Sequence, residues 1–587
     1  MTSIDWTIIA LYFVIAAGIG LALSRRAGSS LSEYFVGGRS LPWWLAGTSM
    51  VATTFAADTP LAVTEMVAQH GVAGNWLWWN MVMSGMLTVF FYARLWRRAG
   101  VLTDVEFTEL RYGGRPAAIL RGFRAAYMAV PINLIIMGWV NLAMMKIVGT
   151  ALGIPEVTAL MVCFVLAAAY STLAGIWGVV VTDLFQFVLA VAGAVILAVF
   201  AVAAVGGISG MKEGLDTVYG SADAALSLFP ARGAAWMPAI TLAVYLGVNW
   251  WASWYPGAEP GGGGYVAQRI FSARSERDGV LATLWFNIAH YAVRPWPWIL
   301  VALASTILYP GLEDPKDGYI MAVMDLLPPG VTGLVLAGFA AAYMSTISTQ
   351  LNWGASYLVN DLYGRFLRPD LDDRAMVRVS RLATLFMMLA SLVVTYFMTS
   401  IEGAWRFLLA IGAGTGLVLI LRWYWWRINA WSEISAMIAS LVVSVVLWFW
   451  AGLDPSDPTQ WAYIMLATVA SSTFVWVAVT YATEPEREEV LEAFYRRVRP
   501  GGRGWRSVSQ RMGLGSEVME GGALNWTNWL AGVVSVYATL FGVGKILFGE
   551  VALGLGLLAV AALCFAWIAR SLGKGEESAR TPVPSSP

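Results

Sequence analysis

The chain has 587 residues, of which 58% are hydrophobic and 13% charged, and its formal net charge is zero. A soluble domain usually carries about 25% charged residues, so the deficit points to long apolar runs that are stable only where lipid replaces water. Zero net charge gives no electrostatic case for a nucleic-acid partner, and two cysteines within apolar runs (Cys163, Cys564) with only two histidines (His70, His290) argue against a disulfide framework, a metalloenzyme or a histidine relay.

The first apolar run, Trp6 to Leu23, has no positive residue before it and Arg25-Arg26 after it. A cleavable signal peptide carries its positive charge in front. This run is therefore expected to stay as a helix with its N-terminus outside. Fifteen candidate spans are expected in all, at 5–24, 42–67, 75–95, 124–152, 157–173, 176–206, 236–256, 279–309, 331–360, 379–399, 404–424, 431–451, 460–482, 525–547 and 550–570. Each approaches the length needed to cross ~30 Å of hydrocarbon as a helix, and helices alone satisfy their own backbone in lipid. With the N-terminus outside, 30 of the 37 Lys and Arg gather on the cytoplasmic side or at its helix ends. Lys212, Arg232, Lys316 and Arg406 fall outside, and Lys146, Arg294 and Lys545 fall within spans. A missed span in mid-chain would scramble that bias.

Four spans carry chemistry. The span 42–67 contains Thr53-Thr54-Phe55-Ala56-Ala57-Asp58-Thr59-Pro60. Pro60 lacks an N–H and frees a carbonyl one turn back, and an acid sits near mid-membrane. The span is expected to be a broken helix of the kind that exposes carbonyls to ions and substrates; the alternative is a simple proline kink. Span 176–206 holds Asp183, an acid that is costly in lipid unless it faces a partner or water; the alternative is an interfacial, snorkelling Asp. Span 236–256 ends in Trp250-Trp251-Ala252-Ser253-Trp254-Tyr255-Pro256-Gly257 and then four glycines at 261–264. It reads as a second interrupted helix with an aromatic wall at Trp250, Trp254 and Tyr255, unless those rings are interfacial anchors. In span 331–360, residues 342, 345, 346 and 349 share one helical face, with Ser348 at its edge. That stripe of hydroxyls in Ser345, Thr346, Ser348 and Thr349 suits a partly dehydrated monovalent cation, or else glues helices together.

The two interrupted spans each begin a group of five helices, 42–206 and 236–427. Five is odd, so the second group would be inverted relative to the first. Outside these lie an N-terminal helix and loop (1–41), extra helices (428–482), a polar cytoplasmic loop (483–524) with an amphipathic helix near Glu486 to Val498, a helix pair (525–570) and a polar tail (571–587) expected to be disordered.

These residues resemble the sodium:solute symporter family, which shares the five-plus-five inverted-repeat fold of the leucine transporter. The resemblance spans about residues 5–480. It rests on Tyr34-Phe35-Val36-Gly37-Gly38-Arg39-Ser40-Leu41, on Thr182-Asp183 with Gln186, and on Gln268-Arg269 in the expected loop after the second break. Met344-Ser345-Thr346-Ile347-Ser348-Thr349, Asn360-Asp361-Leu362-Tyr363 and Arg422-Trp423-Tyr424-Trp425-Trp426-Arg427-Ile428-Asn429-Ala430-Trp431 complete it. It implies an all-α membrane protein of about fifteen spans in a bacterial inner membrane. Its activity would be sodium-coupled uptake of a small organic solute by alternating access, with Na+ as coupling ion and no cofactor. It implies a sodium site from the carbonyls of Ala52, Phe55 and Ala342 with the hydroxyls of Ser345 and Thr346. Some members hold a second sodium at positions matching Asp183, Ser345, Ser348 and Thr349, all oxygen-bearing here. Ala174-Gly175 and Thr54 depart from the family's usual residues, so substrate residues do not carry over.

Asp58 and Arg294 are read from the residues alone. They are expected either to pair with each other or to hold solute, Asp58 an amine and Arg294 a carboxylate; the aromatic wall would also suit a sugar or a quaternary ammonium. A proton-coupled transporter using Asp183 or Asp58, or a transport-like sensor, are the rivals. An enzyme acting on lipid lacks convergent catalytic groups.

Overall fold

The computed structural model of the chain describes residues 1–27, 29–253, 257, 259–398, 404–405, 408, 412–514 and 522–580. Among the described residues the structure is helical, and a single parallel bridge between Leu41 and Ala273 is its only extended pairing. Ten helices among the described residues are long and apolar enough to cross a membrane, and the expected span 404–424 lies partly outside those residues. The expected count of fifteen is not reproduced, and the reasons differ by region. Span 42–67 is divided into the helices Trp43–Thr54 and Asp58–His70, neither long enough to cross alone. Spans 157–173 and 176–206 are joined into one helix, Glu156–Ala204. A lone glycine such as Gly175 costs only about 1 kcal/mol relative to Ala in a helix, which is not enough to end one.

The first break lies where the sequence placed it. Phe55 leaves helical geometry (φ −89°, ψ 67°) and the second half starts at Asp58. Pro60 sits in the first turn of that second half, where its missing N–H is no loss. The second break lies differently. The helical run from Ala239 ends at Ala252, Ser253 turns to extended geometry, and a buried helix, Gly264–Ser272, follows. Gln268 and Arg269 are therefore on the second half of the broken helix rather than in a loop.

The helix Val331–Ser356 is buried along nearly its whole length. It packs against Glu156–Ala204, Ser3–Ala27 and Asn133–Leu152, so the hydroxyl stripe faces protein, not lipid. The first broken helix leans on Glu276–Ile288 and Glu156–Ala204. Contact there is close: a Cβ on Gly47 would lie 2.5 Å from the Ala282 carbonyl oxygen. Small residues at such crossings let membrane helices approach and gain dispersion energy.

The polar loop carries the expected amphipathic helix, Glu488–Val498, with Leu491, Phe494, Tyr495 and Val498 buried. Arg111 fixes it, its guanidinium lying 5.2 Å from the Phe494 ring and 4.9 Å from the Trp505 ring. The last helix runs from Val551 to Arg580, past the point where a disordered tail was expected. Its final residues include the helix formers Leu572, Lys574, Glu576 and Glu577, which prolong a helix beyond its apolar stretch.

Candidate functional site

The stripe on Val331–Ser356 meets the first break and Asp183. Thr346 Oγ1 donates to the Thr53 carbonyl at 2.9 Å and lies 3.2 Å from the Ala342 carbonyl. This links the helix to the unwound end of Trp43–Thr54. Ala52 O accepts the Phe55 N–H at 3.1 Å and so lies at the same turn. Four of the five residues expected at the sodium site (Ala52, Phe55, Ala342 and Thr346) thus converge. The fifth, Ser345, turns its hydroxyl to Asp183 Oδ1 at 2.7 Å.

Asp183 is fully buried, which removes the snorkelling alternative. Ser49 donates to its other oxygen at 2.5 Å. The expected second cluster of Asp183, Ser345, Ser348 and Thr349 holds a cation already. Arg269 is completely buried, and its Nη2 lies 2.7 Å from Thr349 Oγ1 and 3.9 Å from Asp183 Oδ2. Its Nε donates to Ser49 at 3.1 Å and its Nη1 to Gln268 Oε1 at 2.7 Å. Ser348 bonds back to the Ser345 carbonyl. The sequence signal for Arg269 was its place beside Gln268 in the family-like motif. Its charge went unread because the segment looked like a loop.

Beside these groups a cavity of about 120 Å³ opens between the two breaks, lined by Thr54, Asp58, Thr59, Tyr265, Arg294 and Gln350 among others. Asp58 is 3% exposed and its Oδ1 has no hydrogen-bond partner. Arg294 is 1% exposed. Its Nε reaches the His290 carbonyl at 3.3 Å, its Nη1 the Val51 carbonyl at 3.1 Å, and its Nη2 the His290 ring nitrogen. A guanidinium has five N–H donors, so one on each Nη remains for a ligand. The Phe55 and Trp298 rings hold its plane at 5.8 and 5.1 Å. Among the described residues no ion pair joins Asp58 to Arg294, so the expected mutual pairing is not formed.

Sequence reasoning missed most of the wall. Trp78, Trp139, His290, Tyr291 and Trp405 line it. His290 and Tyr291 lie on a π-helical turn, Ala289–Val293, just before Arg294. Trp250 does not line it. Its ring stacks on Trp529 at 5.8 Å and its N–H bonds the Leu246 carbonyl, because the Gly522–Leu547 helix covers that side. Trp254 and Tyr255 lie outside the described residues.

On the side of Glu65 and Lys146, Lys146 bonds Asp314 and lies 3.1 Å from Asp317, while Lys316 lies 3.0 Å from Glu65. Burial pushes the Asp314 carboxyl up, but hydrogen bonds from Lys146 and the Lys316 N–H outweigh it and hold the group below the ordinary carboxylate range.

The profile of the sodium:solute symporter family matches residues 34–442. The sodium/glucose cotransporter of Vibrio parahaemolyticus is 26% identical over 504 residues, covering 81% of this chain and 90% of that protein. Human sodium/myo-inositol cotransporter 2 is 21% identical, covering 83% of this chain and 78% of that protein. In fold, a substrate-bound, outward-open Na+-coupled sialic acid symporter matches with a TM-score of 0.68 at 18% identity, over 83% of this chain and 99% of that one.

Proposed function

The chain belongs to the sodium:solute symporter family and couples movement of a small organic solute to sodium; from that premise we propose that the solute is sugar-like, polyhydroxylated and without net charge. The observation that carries this reading is the pairing of free bonding capacity in one ring-lined cavity. Asp58 offers an unpartnered acceptor and Arg294 two unpartnered donors. Hydroxyl groups both donate and accept, and aromatic rings pack against the C–H faces of a sugar. The opposite charges of Asp58 and Arg294 sum to zero, which suits a neutral guest. Relatives at 21–26% identity are cotransporters of glucose and myo-inositol.

Sodium binds at the Ala52, Phe55, Ala342, Ser345 and Thr346 oxygens, and Thr346 gives up its bond to the Thr53 carbonyl to do so. This ties the broken helix to Val331–Ser356 and shapes the adjacent cavity for solute. Membrane potential adds ~2.3 kcal/mol per charge per 100 mV to the sodium gradient. Counted over the fifteen expected spans, the Lys and Arg bias supports an N-terminus outside and a C-terminus in the cytoplasm, in a bacterial inner membrane.

A second reading, a zwitterionic solute with its amine on Asp58 and its carboxylate on Arg294, is favoured by the two charges not bonding each other. Uptake into proteoliposomes under a sodium gradient separates the two. Labelled glucose, mannose and myo-inositol should enter and compete with one another. Entry of neutral amino acids alone would replace the first reading with the second.

A further inference from the structure

The second break holds an acid with nothing to bond. Glu259 is 3% exposed, and neither of its carboxyl oxygens has a hydrogen-bond partner. Asp104, from the loop after the Ala93–Ala99 helix, faces the same turn and is 6% exposed. A Cβ on Gly263 would lie 3.4 Å from Glu259 Cγ and 3.5 Å from Asp104 Oδ2, so both acids converge on one glycine.

Their surroundings differ. Asp104 accepts from the Tyr357 hydroxyl and from the Gly264 N–H at 3.2 Å. Tyr357 accepts in turn from the Trp353 indole at 2.6 Å. Glu259 receives no side-chain donor, and the backbone N–H groups that lie near its carboxyl, those of Gly257 and of Glu259 itself, do not bond it. The other groups around the turn bring no positive charge: Tyr92 lies at Gly261, Trp96 at Gly262, the Tyr265 hydroxyl at Gly257 and the Trp353 ring at Gly264. The guanidinium whose field reaches Asp104, that of Arg124, is bonded to Glu433 at 2.7 Å. Among the described residues neither acid has an ion pair. The turn is also tight. A Cβ on Gly264 would come within 2.5 Å of Glu259 Oε1, which leaves no space for a hydrated cation.

A buried carboxylate without a donor is so costly that it takes up a proton instead. Where two acids share a site, the like charges oppose ionisation of both. We infer that Glu259 is a proton-binding site: its carboxyl is protonated while the 259–264 turn is packed, and it releases that proton to water when the turn opens. The turn lies toward the face that carries Arg97, Arg98 and the docked Glu488–Val498 helix, through the ring chain Trp96, Phe107 and Phe494. That is the side read as cytoplasmic. The direction of opening rests on the transport reading; the protonation does not. The closed state then holds one more proton than the open state, so rising pH favours opening.

Two measurements on the purified full-length protein in sodium, without solute, test this. Infrared spectroscopy should show a protonated-carboxyl C=O stretch in wild type that is missing from Glu259→Gln and kept in Asp104→Asn. Hydrogen exchange of peptides spanning 257–272, corrected for intrinsic rates, should lose protection by up to about tenfold per pH unit between about pH 6 and 8 in wild type. Glu259→Gln, which copies the neutral acid, should be protected at both pH values, and Glu259→Asp should keep the dependence. Absence of the infrared band from wild type overturns the proposal. An intact band with pH-independent exchange overturns the coupling of that proton to opening, and with it the part that depends on transport.

Discussion

Arg269→Gln is the substitution that probes the Asp183 cluster most directly. It removes a guanidinium whose Nη2 is 3.9 Å from a fully buried carboxylate. At an effective dielectric constant near 20, two unit charges at that separation attract by about 4 kcal/mol. Breaking one side of a buried pair typically costs about 3–5 kcal/mol, because the other charge is stranded. In the absence of sodium, Arg269→Gln and Asp183→Asn should each lower stability by roughly that amount. The double variant should recover more than half of it, since two neutral amides can bond each other and the hydroxyls of Ser49, Ser345 and Thr349. The coupling energy of the cycle is then at least about 4 kcal/mol. Thermal melting of the purified protein in sodium-free buffer reads all three.

Sodium adds a second arm to the same experiment. The stranded Asp183, with three hydroxyls around it, is a better cation site in Arg269→Gln than in wild type. Sodium at about 100 times its dissociation constant should raise the variant's stability by about 2.7 kcal/mol more than it raises that of the double variant. Additive single effects below about 1 kcal/mol would show that Arg269 and Asp183 do not depend on each other. A sodium response equal in all forms would show that this cluster is not a cation site with or without the arginine.

Four further outcomes follow from the geometry. Ser345→Ala with Thr346→Val removes both hydroxyls of the proposed sodium site, and the sodium concentration for half-maximal uptake should rise at least about tenfold, ~1.4 kcal/mol; unchanged sodium dependence would exclude the site. Asp58→Asn should melt within about 1 kcal/mol of wild type, because no partner is stranded, yet lose most uptake of labelled glucose or its replacement; normal uptake would remove Asp58 from solute binding. Phe494→Ala should cost about 3–5 kcal/mol by opening a cavity beneath the docked helix, and proteolysis within 488–512 should quicken; an unchanged cleavage rate would mean that the helix is not held there. The Asp314 carboxyl is held below its ordinary range, so its bond to Lys146 stabilises above that range and is lost as pH falls below about 4; exchange protection of 309–320, corrected for intrinsic rates, that stays flat as pH falls from about 5 to about 2 would show the contact contributes nothing.

How much of this was legible in the sequence depended on how local the signal was. The hydroxyl stripe was readable because helical periodicity put 342, 345, 346 and 349 on one face. The first break was readable because Thr, Ala, Asp and Pro crowd into one apolar run. The second break was misplaced because its far half, Gly264–Ser272, is short and carries Tyr265, Gln268 and Arg269. Hydropathy treats such a segment as a loop, yet here it is buried in protein, where polar groups find partners. Trp250 was assigned to the solute wall by its neighbours in sequence. The helix that covers it, Gly522–Leu547, lies far along the chain and no local pattern announces it. His290 and Tyr291 escaped notice because a π-helical turn, which periodicity of 3.6 does not describe, aims them at the cavity.

The buried charges show where ligands act once each is asked what it bonds. Asp183 and Arg269 sit in one net of hydroxyl and ionic contacts, and that net can stand without solute. Glu433 is likewise closed off by Arg124, Arg422 and Tyr112. Such groups hold helices in register in a medium where an unpaired charge is expensive. Asp58 and Glu259 are different, because each leaves buried carboxyl oxygen unbonded. Both lie at breaks, one at the start of Asp58–His70 and one before Gly264–Ser272, where helical hydrogen bonding is interrupted. An unsatisfied group there can be satisfied in another state or by a guest. On the reading proposed above, the guest at Asp58 is solute, because the cavity opens there and Arg294 completes it, and the guest at Glu259, where the space is closed, is a proton. The two breaks thus answer to different ligands, which lets each half of the cycle be read by its own experiment.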